Sequence, residues 1–137
     1  IVAAIAIPQL QNYATNSRLK SAARDIMGDF FLYKERAISE NRMYRIIFNV
    51  GANNYTIEQC NATGSSCAAW TVIQTKTPAS FGSNISINGP GTTVTTYIFQ
   101  PRGTVTNGTL RLINNRNSTA TITINITGKV SVQFNMQ

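Results

Sequence analysis

The sequence predicts an α+β fold in which one long N-terminal α-helix packs on an antiparallel β-sheet head. Residues 1–42 carry apolar side chains at helical spacing, whereas residues 43–137 carry short β-branched and aromatic runs separated by turns. At 137 residues the chain is long enough to bury one hydrophobic core. We therefore expect a helix over 1–42, divided into parts 1–8 and 9–42, and a β-rich globular head over 43–137.

The helix starts with an apolar stretch that ends at a proline: Ile1, Val2, Ala3, Ala4, Ile5, Ala6, Ile7 and Pro8. A membrane-spanning helix needs about 20 apolar residues, so this stretch is either part of a longer apolar helix or a local hydrophobic entry strand. We favour the longer helix, because an apolar chain end would otherwise promote aggregation. Pro8 lacks a backbone donor and is expected to kink or loosen the helix.

The second part of the helix is amphipathic. Its apolar residues recur every three or four positions and predict one buried face: Leu19, Ala22, Ala23, Ile26, Met27, Phe30, Tyr33, Ala37 and Ile38. The opposite face is charged and is predicted to be solvated. Asp25 and Asp29 lie one turn apart on that face and could bind a cation, which is the less favoured interpretation. The helical pattern ends at Glu40-Asn41-Arg42.

The head is predicted to contain eight strands. They cover residues 43–50, 55–59, 70–75, 84–88, 94–100, 109–113, 120–126 and 129–134. The first two and the last two form hairpins. In the last hairpin every second residue is apolar, which indicates an antiparallel sheet with one buried face; these residues are Ile122, Ile124, Ile126, Val130, Val132 and Phe134.

Composition argues against an enzyme. Charged residues make up 12% of the chain, and the sequence has 27 Ser and Thr and 15 Asn, which is typical of an extracytoplasmic β domain. It contains no His, which is the commonest general base and metal ligand. No glycine-rich phosphate loop precedes a helix. We predict no catalytic activity, no metal site and no cofactor.

Two cysteines, Cys60 and Cys67, enclose a six-residue segment rich in Gly, Ser and Asn. Such a segment forms turns, so the two thiols can approach each other. A disulfide between them would require an oxidising compartment, and two unpaired thiols are the alternative. Two cysteines are too few for a zinc site without His or carboxylate neighbours.

The net charge of +7 is unevenly distributed. Residues 46–137 hold five basic residues and one acidic residue, Glu58. This imbalance is compatible with contact to DNA, with Arg111, Arg116 and Lys129 as candidate contacts. Ordinary solubility is the alternative explanation and the one we favour.

Three segments carry a resemblance to a known family. They are Ala6-Ile7-Pro8 through Tyr13, the helix motif Arg18–Asp25 with Glu35–Arg42, and the element Phe99-Gln100-Pro101-Arg102-Gly103, followed by a terminal hairpin that turns at Gly128. Together they resemble the minor pilins and pseudopilins of the GspH, FimT and FimU type. The resemblance covers nearly the whole chain.

The resemblance implies a structural subunit of a type IV pilus or a type II secretion pseudopilus, with other pilin or pseudopilin subunits as partners. Ile1 to Pro8 would lie in the inner membrane before assembly and in the filament core afterwards, with the head in the periplasm or on an extracellular pilus. Family members begin with a methylated Phe and a nearby Glu, so the start of their helix is expected to precede Ile1. DNA uptake is the alternative function, but Lys129 alone follows Gly128 where DNA-binding members have a basic pair.

Overall fold

The computed structural model describes residues 2–137, with side chains described from Tyr13 onward. These residues form one long helix and eight strands. The helix, α1, covers Val2–Glu40. The strands are β1 (Arg42–Asn49), β2 (Asn54–Thr63), β3 (Trp70–Lys76), β4 (Ser86–Ile87), β5 (Thr96–Phe99), β6 (Gly108–Ile113), β7 (Thr119–Ile124) and β8 (Val130–Asn135). The predicted α+β fold is confirmed.

The strands form two antiparallel sheets of four strands each, in the orders β3-β2-β1-β5 and β4-β6-β7-β8. Both predicted hairpins are present, β1 with β2 and β7 with β8. The less local pairing joins β1 to β5, where Ile46 lies opposite Tyr97. It places Tyr97 and Phe99 in the core, on one face of β5.

Helix α1 packs across both sheets and supplies one side of a single core. Seven of the nine residues predicted to form its buried face are buried, whereas Met27 is half-buried and Ile38 is 45% exposed. The prediction for Ile38 is therefore wrong. This residue lies in the last turn of the helix, about 100° around the axis from buried Ala37.

The centre of the core is aromatic. The ring of Phe30 on the helix lies 5.2 Å from that of Tyr97, 5.5 Å from that of Phe99 and 6.4 Å from that of Phe48. Because these partners come from β1 and β5, Phe30 connects the helix to the β1–β5 side of the first sheet. Edge-on and tilted ring pairs of this kind add to the stabilisation from burial alone.

Several element boundaries differ from the sequence prediction: β2 extends to Thr63, whereas β4 and β5 are shorter than predicted. The helix ends at Glu40 because Asn41 adopts a left-handed backbone conformation with φ of 50°, and Arg42 already belongs to β1. Strand β7 ends at Ile124, since Asn125 to Lys129 form a tight turn in which Gly128 has a φ of 85°. Ile126 therefore leaves the buried face of the sheet and is 58% exposed, which corrects its predicted burial.

A polar cluster fixes the helix at the end of the second sheet that carries the β6–β7 turn, opposite the β7–β8 turn. The Asn16 carboxamide oxygen accepts hydrogen bonds from Asn114 Nδ2 at 3.0 Å and Ser118 Oγ at 2.8 Å. Ser118 Oγ also accepts a hydrogen bond from the backbone N–H of Gln137 at 2.8 Å. Asn114 and Ser118 are buried, and these bonds satisfy polar groups that would otherwise destabilise the fold. The cluster ties the helix, the β6–β7 turn and the last strand together.

Candidate assembly surface

The helix exposes apolar side chains on the face that does not contact the sheets. Phe31 is 48% and Leu32 50% exposed, and Tyr13, nearer the helix start, is 73% exposed. Gly28, one turn before Phe31 and Leu32, has no atom within 4 Å of where a Cβ would lie. An exposed apolar face beside an open glycine is suited to close packing against another protein surface. The sequence prediction missed Phe31 and Leu32 because they fall outside the buried stripe.

A charge cluster holds this helix against the first sheet. Lys76 Nζ, at the end of β3, lies 2.6 Å from Asp25 Oδ2 and 2.9 Å from Asp29 Oδ2. The Tyr55 hydroxyl on β2 donates to Asp29 Oδ2 at 2.9 Å. Asp29 is only 8% exposed, so its predicted place on a solvated face is wrong. The cation that the two carboxylates hold is the ammonium group of Lys76.

Burial sets the protonation equilibria of this cluster. It raises the pKa of Asp29, and this effect outweighs the hydrogen bond and the positive charge of Lys76, which act to lower it. Burial also acts to lower the pKa of Lys76, but the hydrogen bonds to Asp25 and Asp29 outweigh it and raise that pKa. The two shifts differ in origin because Asp29 is the more deeply buried carboxylate, whereas Lys76 has two carboxylate partners.

We expect Lys76→Ala to lower the free energy of unfolding by about 1–2 kcal/mol at pH 7, because it leaves Asp29 buried without its cation. A raised pKa means that ionising Asp29 costs stability as the pH rises through that pKa. Protonation at lower pH removes the cost. The deficit should therefore shrink as the pH falls toward 3.8, the ordinary value for Asp.

Urea unfolding of the wild type and Lys76→Ala at pH 7 and pH 4 measures this deficit. Lys129→Ala is the matched control, since Lys129 is exposed in a turn and forms no ion pair with a carboxylate of residues 13–137. An equal deficit at both pH values would show that Asp29 does not carry the effect.

The predicted disulfide between Cys60 and Cys67 is present, with the two Cα atoms 5.8 Å apart. It closes the loop that follows β2 and leads into β3. Cys60 is fully buried. On the outer face of the first sheet, Arg45 of β1 forms a salt bridge with Glu58 of β2 at 2.9 Å and stacks on Trp70 of β3 at 4.3 Å. The disulfide and this stack together fix the edge of the first sheet.

The three candidate DNA contacts do not lie together. Arg111 lies in β6, where its Nε donates to Thr121 Oγ1 at 3.2 Å. Arg116 lies in the β6–β7 turn and donates to the carbonyl oxygen of Gln137 at 3.0 Å. Lys129 lies in the β7–β8 turn at the other end of the sheet, and the six residues of β7 in between span about 20 Å. Contact with DNA stays a prediction.

Arg111 lines a shallow groove of about 440 Å³ on the outer face of the second sheet. Its other lining residues are Thr119, Thr121, Gln133, Phe134 and Asn135. Most of these side chains carry a hydroxyl or an amide group. No acid or base that could act on a bound molecule accompanies them in the groove, so its side chains offer hydrogen bonds and one positive charge.

Within the part of the chain that the structure describes, no three metal-ligating side chains come together. In that same part, no helix contains an apolar stretch long enough to cross a membrane. The segment Ile1 to Pro8, which the sequence analysis assigns to the membrane and the filament core, lies outside the residues whose side chains are described.

The sequence of this chain matches a known protein family. The sequence profile of the family described as type II transport protein GspH matches residues 22–128. The match runs from the buried part of the helix to the β7–β8 turn, and so covers most of the chain. No curated protein sequence matches the chain.

Solved structures share the fold at low sequence identity. The minor pseudopilin EpsH from the type 2 secretion system of Vibrio cholerae is 17% identical with a TM-score of 0.67, over 85% of this chain and 96% of that one. The type IV minor pilin FimU of Pseudomonas aeruginosa is 18% identical with a TM-score of 0.63, over 88% of this chain and 92% of that one. Both show one helix packed on antiparallel sheets as the common fold.

Proposed function

Because this chain belongs to the family of the type II transport protein GspH, we propose that it is a minor pilin or pseudopilin that assembles into a filament through its N-terminal helix. The observation that carries the proposal is the helix itself. It starts at Val2 and Tyr13 is still 73% exposed, whereas Asn16 and Leu19 already contact the head. The twelve residues from Val2 to Tyr13 rise about 18 Å, a length that can pack against other subunits.

In this proposal the helix has two roles. Its buried side chains between Leu19 and Ala37 complete the core of the head. The exposed side chains of Phe31 and Leu32 present apolar surface outward. Ile1 to Pro8 lie in the inner membrane before assembly and in the filament core afterwards. Burial of apolar surface between helices then provides the free energy that holds the filament together. The chain needs no catalytic group for this function, since a cytoplasmic ATPase elsewhere in the machine, which the family resemblance implies, would do the work.

The filament is either the periplasmic pseudopilus of a type II secretion system or a type IV pilus. The description of the matching family supports the first, and a fold shared with both EpsH and FimU is compatible with either. Loss of secreted proteins from the medium after deletion of the gene would indicate a pseudopilus. Loss of surface fibres with normal secretion would indicate a pilus.

Fractionation of the host tests the proposal. An antibody against the head should detect the chain in the sheared or overproduced filament fraction of the wild type. In a strain without the assembly ATPase the chain should remain in the cell-envelope fraction. A chain that never enters the filament fraction, although it is produced and folded, would contradict the proposed function.

A further inference from the structure

One end of the head combines positive charge with exposed apolar side chains. Three segments meet there: the last turns of α1, the turn that follows β5, and the β7–β8 turn. A Cβ on Gly128 would lie 2.7 Å from Lys34 Cδ, and one on Gly103 would lie 3.4 Å from Ile38 Cδ1. The N–H of Val105 donates to the carbonyl oxygen of Ile126 at 3.0 Å. We call this end the basic tip and define it by Lys34, Ile38, Arg102, Ile126 and Lys129.

Within residues 13–137, no carboxylate lies within 4.0 Å of Lys34, Arg102 or Lys129, whereas Arg36, Arg45 and Lys76 form salt bridges. Arg102 Nε instead donates to Thr104 Oγ1 at 3.0 Å, which fixes the guanidinium beside the turn.

The centre of the basic tip is apolar. Ile38 and Ile126 are 45% and 58% exposed. A pocket of about 180 Å³ opens between the turn after β5 and Ile126, and Ile98 and Val105 contribute to its wall. A water molecule takes about 30 Å³ of liquid, so the pocket can hold several waters or one inserted side chain.

The pocket also contains an unsatisfied acceptor. Gln100 lines it, and the carboxamide oxygen of this residue is buried without a hydrogen-bond donor among the described residues. Gln100 belongs to the Phe99–Gly103 element that the sequence analysis singled out and that the proposed function leaves unused.

We propose that the basic tip is a docking surface for an acidic segment of another protein that inserts one apolar side chain beside Ile126. Protein interfaces combine an apolar centre with a charged rim, and the basic tip brings two exposed isoleucines and three cations to one end of the head. Nucleic acid binds mainly through rows of cations that follow its phosphates. The apolar centre favours the protein partner. The inference rests on the last turns of the helix and on the head, and is independent of the filament in which the chain works.

Binding of designed peptides to the chain Ile1–Gln137 tests the proposal. One fluorescein-labelled probe carries four glutamates on each side of a leucine, and the other carries serine in place of the leucine. At low salt the leucine peptide should bind at least about fivefold more tightly, because it buries an apolar side chain. Ile126→Ser should abolish the preference for leucine, and Lys129→Gln should weaken the binding of both peptides.

Ile73→Ser and Arg24→Gln are the matched controls, since they change an exposed isoleucine on β3 and an exposed cation far along the helix. Neither should alter binding. Circular dichroism verifies that each variant is folded. Equal binding of the two peptides, no binding of either, or equal losses in the control variants would overturn the proposal. So would an oligothymidylate of nine nucleotides that binds as tightly as the leucine peptide, because phosphate recognition would then explain the patch.

Discussion

Replacing Phe30 with alanine is expected to lower the free energy of unfolding by about 3–5 kcal/mol, the largest effect that we predict for a single substitution. Phe30 is 1% exposed and contacts aromatic rings of both β1 and β5. Its removal leaves a cavity between the helix and the first sheet. Urea unfolding monitored by circular dichroism measures the change.

The neighbouring Phe31 provides the matched control. It has the same side chain one position further along the helix, but it is 48% exposed. Phe31→Ala should therefore change the free energy of unfolding by no more than about 0.5 kcal/mol. If the two substitutions had similar effects, the assigned orientation of the helix on the sheets would be wrong.

Cys60→Ser is expected to cost about 2–3 kcal/mol under oxidising conditions, because the unfolded chain loses the constraint of a short closed loop. The melting temperature of the wild type should fall on addition of reductant, whereas that of the variant should not. Cys67→Ser is the matched control, since it also breaks the bridge but changes a less buried position. A wild-type melting temperature that is the same with and without reductant would contradict this prediction.

Much of the fold is predictable because local patterns determine it. The spacing of Leu19, Ile26 and Phe30 indicates the buried face of the helix, and alternation in the last hairpin indicates an antiparallel sheet with one buried face. The pairing of β1 with β5 depends on contacts between residues about 50 positions apart, and no local pattern encodes it. For the same reason the sequence does not show that the eight strands divide into two sheets.

The wrong predictions have two physical causes. Asp29 follows the charged pattern of the helix, but a lysine 47 residues further along the chain covers it. Ile38 lies in the last turn of the helix and Ile126 follows the end of β7, and both are exposed although they continue an apolar pattern. Periodicity describes an element only as far as the element extends. The basic tip was not predicted because its residues come from three distant segments.

The most direct test of the central claim, that the helix mediates assembly, is photocrosslinking in the host. A photoreactive phenylalanine replaces Leu32, which is half-exposed on the outward face of the helix. We expect illumination to produce adducts between this chain and another pilin or pseudopilin subunit in the filament fraction. The adducts should be absent from a strain without the assembly ATPase. A folded chain that forms no adduct from position 32 in the filament fraction would contradict the account.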